Sequence, residues 1–129
     1  MNELTFDWKE KAYPDRVFSD GSVYKAYKVN RGYSAKMLVS DLLAAGVRIS
    51  ELEYEEDPDD GARRISGEGT AEHFLRRMYD DMLGQGKVGV SYTFYCQKDG
   101  AAFEAGTADM GIVTLNTTNA ALEMADILK

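Results

Sequence analysis

The sequence predicts an α+β fold, an antiparallel sheet built from hairpins with about three helices packed on one face, in a single domain over residues 1–129. Three observations predict it. Apolar residues alternate with polar ones in several short runs, above all Val88, Val90, Tyr92, Phe94 and Cys96 within 87–97, as a half-buried strand requires. Asp20-Gly21 and Lys98-Asp99-Gly100 join neighbouring runs by turns far too short for the crossover that parallel strands need. Apolar residues recur at helical spacing after Ser34 and after Thr70. Hairpins plus separated helices give an antiparallel sheet covered by helices.

Leu4, Phe6 and Trp8 alternate with polar neighbours and predict a first strand. Arg16 to Phe18 and Val23 to Tyr27 flank Asp20-Gly21 as a strand pair. Ser34 is a good N-cap for a helix through Ala35, Leu38, Val39, Leu42 and Leu43, which Gly46 ends. From Val47 to Ile49 an alternation begins that loses phase before Leu52 and Tyr54, the mark of a bulge, and Arg63 to Ser66 is the expected partner strand. Thr70 is the expected cap of a second helix with the apolar stripe Ala71, Phe74, Leu75, Met78, Tyr79 and Met82. Ala101 to Ala105 and Ile112 to Leu115 complete a meander, and a third helix is expected from about Thr118 through Ala121, Met124, Ala125 and Leu128.

The net charge of −7 arises from 22 acids and 15 bases, and its distribution says more than its size. Residues 51–60, ELEYEEDPDD, hold seven acids and no base; without them acids and bases balance at 15 each. An overall negative field opposes direct nucleic-acid binding. A single cysteine, Cys96, cannot form an internal bridge and points to a reducing cytoplasm, and no apolar block suggests a signal peptide or a membrane anchor.

Most chemical motifs fail on context. Gly84 to Gly89 spells G-x-G-x-x-G, but it follows a predicted helix and opens a strand, so its loop faces a helix C-terminus, which repels phosphate. Cys96 and His73 are the pair from which a thiolate and its base would come, yet Cys96 shares a face with the apolar strand residues and His73 lies on a polar helix face. Asp57, Asp59 and Glu68 match three positions of a calcium-loop template whose centre is wrong, with Gly61 and Ala62 where an acid and a glycine belong. Tyr24, Lys25, Tyr27, Lys28, Arg31 and Tyr33 interleave aromatics and bases, a pattern that a strand pair also produces by covering a sheet. No cofactor and no catalytic or metal-binding residue is therefore expected.

The acidic run is what remains. Seven carboxylates in ten residues repel one another unless counterions or a basic partner relieve them. The leading expectation is a non-catalytic binding protein that docks on a basic surface of another protein through Glu51, Leu52, Glu53, Tyr54, Glu55, Glu56, Asp57, Asp59 and Asp60, with Leu52 and Tyr54 as apolar anchors. In its sharpest form the run mimics nucleic acid on a nucleic-acid-binding partner, a character shared in composition by small acidic inhibitors of phage or mobile-element origin. Two alternatives are a ligand pocket or weak hydrolase between sheet and helices, with Tyr92, Cys96, His73 and Glu104 as first suspects, and a homo-oligomer joined through Ala120, Ala121 and Ala125.

Overall fold

The computed structural model describes residues 6–30, 32–55, 59, 61–84, 91–108 and 111–129, and over 78–84 it describes the backbone alone. Strand β1 (Arg16–Val17) turns through Asp20, whose carboxylate accepts from the Ser22 amide at 2.9 Å, into β2 (Val23–Lys28). Helix α1 (Ala35–Ala44) starts at Ser34, whose hydroxyl accepts from the Met37 amide at 3.3 Å. Then come β3 (Arg48–Glu55), β4 (Arg63–Ser66), α2 (Thr70–Gly84), β5 (Ser91–Lys98), β6 (Ala101–Thr107), β7 (Ile112–Thr117) and the short α3 (Met124–Ile127). The β5–β6 turn takes positive φ at Asp99 (50°) and Gly100 (80°), as the tight hairpin turn that matches strand twist demands.

All pairings between the strands are antiparallel, in the order β1-β2-β7-β6-β5-β3-β4. The β5–β6–β7 meander fills the gap between the β1–β2 and β3–β4 hairpins. Its inner face carries Val113, Leu115, Phe103, Ala105, Phe94 and Cys96 in register with Tyr27 of β2 and with Ile49, Leu52 and Tyr54 of β3. Against that face pack Leu38, Val39 and Leu42 of α1, Ala71 and Phe74 of α2, and Met124 and Ile127 of α3, all within one buried cluster. Burial of each large side chain contributes about 1.5–3 kcal/mol. The sequence expectation of an antiparallel α+β domain with helices on one face is thus met, and the opposite face of the sheet carries no described helix.

Four local expectations need correction. Trp8 lies in a turn closed by the Glu10 amide on the Asp7 carbonyl, Phe6 just precedes it, and their rings pack edge-on against Tyr33 at 6.1 and 4.3 Å; the alternation there builds an aromatic cluster, not a ladder. Leu4 lies outside the described residues. Thr70 is the first helical residue, with its hydroxyl donating back to the Gly67 carbonyl at 2.6 Å, so it does not act as the cap. The third helix is only four residues long. Asn119 organises the preceding turn, its side chain accepting from the Ala121 amide at 3.1 Å and its carbonyl from the Leu122 amide at 2.9 Å, bonds that compete with helix formation. The last correction concerns Leu52 and Tyr54, which face inward and are 1% and 5% exposed. The expected bulge is present, as a register shift between Ile49 and Glu51, and it returns both residues to the inner face with Ile49.

Candidate protein-binding face

Because side chains alternate along a strand, the bulge that buries Leu52 and Tyr54 turns Glu51, Glu53 and Glu55 to the uncovered face. Arg64 of β4 stands directly across from Glu53. Its guanidinium donates through Nε to Glu53 Oε2 at 3.1 Å, approaches the same oxygen with Nη2 at 3.0 Å, and lies 3.6 Å from Glu51. The exposed Arg64 pKa is raised by Glu53 first and then by Glu51. On the other side of β3, Tyr95 of β5 pairs with Glu51, and its hydroxyl donates to Glu53 Oε2 at 3.2 Å. Partial burial, then the charges of Glu104 and Glu53, push that hydroxyl's pKa up.

The row continues across the sheet. Tyr95 pairs with Glu104 of β6, and Glu104 with Asn116 of β7. Beside these residues a concavity of about 310 Å³ opens on the same face, lined among others by Asp20, Ser22, Ser50, Gln97 and Thr118. Among the described residues no Lys or Arg lines it. Asn116 Oδ1 is buried and, among the described residues, meets no donor. The uncovered face is therefore rich in acceptors, with Arg64 as the guanidinium that pairs with its β3 carboxylates.

Of the nine residues expected to bind a partner, Glu51, Glu53 and Glu55 share this face, and Asp59 is exposed beyond the end of β3. Leu52 and Tyr54 cannot serve as anchors, since they pack in the core; the Tyr54 hydroxyl accepts from Arg77, whose guanidinium sits 4.7 Å from its ring. Glu56, Asp57 and Asp60 lie outside the described residues, as do Gln85 to Gly89 of the glycine-rich loop.

The four suspects for a pocket do not converge. Tyr92 and Cys96 face inward, Tyr92 stacked on Phe94 with centroids 6.3 Å apart, while Glu104 faces outward and His73 is exposed on α2. Burial pushes the Cys96 thiol up to about 12, the reverse of an activated nucleophile. Ala120 and Ala121 precede α3, so the alanine stripe expected on a long last helix is not formed. Lys25, Tyr27 and Tyr33 of the aromatic-basic segment are buried and present no stacking surface. Among the described residues no group of three or more His, Cys, Asp or Glu is placed to hold a metal ion, and no helix is long and apolar enough to cross a membrane.

Sequence reasoning missed two features. One is the polar row through Tyr95, Glu104 and Asn116, for which a signal existed: if Phe94 and Cys96 face the core, Thr93, Tyr95 and Gln97 face away from it. The other has no local signal. Lys25 is 1% exposed on the inner face, and its ammonium donates to the Ala120 carbonyl at 2.8 Å, the Leu122 carbonyl at 2.7 Å and Glu123 Oε1 at 2.9 Å. Glu123 Oε2 also accepts from Lys11 at 2.9 Å and from the Tyr27 hydroxyl at 2.6 Å. Burial alone raises the Glu123 pKa, but these bonds from Lys11, Tyr27 and Lys25 outweigh it and hold the carboxyl down at about 2. Comparison of the chain with protein-family models, with curated proteins and with solved structures finds no match.

Proposed function

We propose that the chain is a non-catalytic binding module that docks the acidic side of its sheet on a basic surface of a partner protein. The observation that carries this reading is the row of Glu51, Glu53 and Glu55 on the uncovered face of β3. Alternate residues of a strand stand about 6.8 Å apart, so the row is a regular array of three carboxylates, of which Glu51 and Glu53 share the Arg64 guanidinium. A regular array of that kind is what a groove made for nucleic-acid phosphates recognises, and the sharper form of the proposal is a nucleic-acid-binding partner whose groove the array occupies. Fixing the carboxylates on a strand removes the ordering cost that a flexible acidic tail would carry on binding. Attraction between such an array and a basic groove raises the association rate and makes binding sensitive to salt.

Capture of partners from lysate at low and high salt, followed by affinity measurement with the purified partner, tests the proposal. Wild type is compared with a Glu51→Lys, Glu53→Lys, Glu55→Lys variant. The expected result is a salt-sensitive complex weakened at least about thirtyfold in the variant, roughly 2 kcal/mol, with an unchanged far-UV spectrum. Affinity indifferent to both salt and charge reversal overturns it.

A further inference from the structure

The structure itself shows how the uncovered face holds a guanidinium. Arg64 lies between Glu53 and Glu51, and the Tyr95 hydroxyl shares the Glu53 oxygen. Tyr95 stands between two carboxylates, paired with Glu51 on one neighbouring strand and with Glu104 on the other. Only the first side is served by Arg64. Among the described residues Glu104 makes no ion pair, although it lines the 310 Å³ concavity together with Asp20 and Asn116. We infer that this concavity is a receptor for one arginine side chain of the partner, seated as Arg64 is seated on the opposite side of Tyr95.

Charge and hydrogen-bonding chemistry select that occupant. Among the described residues two carboxylates and no cation line the concavity, which sets the sign of the ligand. Fewer than three acidic, His or Cys groups cluster among the described residues, which disfavours a bare metal ion and favours an organic cation with many donors. A guanidinium carries five donors in a plane, matches a carboxylate in bidentate fashion and stacks on an aromatic ring; an ammonium does neither of the last two. Glu104 supplies the carboxylate and Tyr95 the ring. Ser50 and Thr118 supply further acceptors at the margin.

The inference rests on the docking proposal only for the source of the arginine, so its test uses a small free compound and stands apart from the charge-reversal result on β3. The full chain is titrated with N-acetyl-arginine methylamide while backbone amide shifts are followed, with the lysine and the neutral citrulline counterparts as comparisons. Saturable shifts centred on Tyr95, Glu104 and Asn116 are expected with arginine, about fivefold weaker binding with lysine, and none with citrulline. Glu104→Gln should weaken the arginine compound by about tenfold. Ala102→Phe, which fills the concavity from an exposed position in its lining without changing charge, should remove binding. Scattered or non-saturating shifts, an equal response to citrulline, or binding that survives both substitutions overturns the inference.

Discussion

Glu123 ties the segment before α3 to the sheet, and its titration has a defined direction. Its folded pKa of about 2 lies below the ordinary 4.5, so its contribution to stability is complete above about pH 4.5 and is lost as pH falls through 2. Urea unfolding between about pH 5 and about pH 2 should show stability falling in wild type, and Glu123→Gln should flatten that part of the slope. An unchanged slope would mean that the carboxylate is not held as the structure shows. At neutral pH the same substitution leaves the buried Lys25 ammonium with two carbonyls and no counter-charge. The cost should fall at or below the lower end of the roughly 3–5 kcal/mol of a broken buried pair, because Glu123 itself is partly solvated. Cys96 gives the opposite kind of prediction. Buried, and with a pKa of about 12, it should resist alkylation at pH 8 in the native protein and react promptly in urea; prompt reaction in the native protein would contradict its placement in the core.

At the scale of elements, what was legible in the sequence was what is decided locally. Ser34 and Gly46 bracket α1 because capping chemistry acts within one turn, and Asp20-Gly21 and Asp99-Gly100 mark hairpins because few residues accept their backbone angles. The third helix is short because a distant residue joins the local Asn119 bonds in competing for its backbone. The Ala120 and Leu122 carbonyls, which a helix would use internally, accept from Lys25, about a hundred residues earlier in the chain. For the candidate site, the bulge was readable and its consequence was not carried through: the phase shift that exposes Glu51 and Glu53 is the one that buries Leu52 and Tyr54. The concavity beside Glu104 depends on which strands become neighbours, which no local pattern contains. Gly106 offers a test of the packing between the central strands. A Cβ added there would stand 2.4 Å from the Tyr92 carbonyl oxygen, with the Thr114 hydroxyl at 3.1 Å. Gly106→Ala should therefore cost about 1–3 kcal/mol in urea unfolding, as overpacking does, although alanine is favoured over glycine by backbone entropy. A stabilising effect would show that β5 and β6 are further apart than this.

For the molecule as a whole, the charge imbalance should be visible as self-repulsion. Raising salt from about 10 mM to about 150 mM shortens the screening length from about 30 Å to about 8 Å. The melting temperature of the free protein should rise by a few degrees over that range, and less in a Glu55→Lys, Asp57→Lys, Asp59→Lys variant. A fall in wild type would mean that attractive pairs such as Arg64 with Glu53 outweigh the repulsion. The strand order carries a separate consequence, for the growing chain. β2 and β3 are joined through α1, yet β5, β6 and β7 stand between them in the sheet and follow both in the chain. Up to Ser66 the chain can form two hairpins that share no edge, and Tyr27 and Leu52, buried in one core at the end, belong until then to separate pieces. The two early hairpins can therefore share a sheet only through the β5–β7 meander, in which β7 pairs with β2 and β5 with β3 while Lys25 reaches the carbonyls of Ala120 and Leu122.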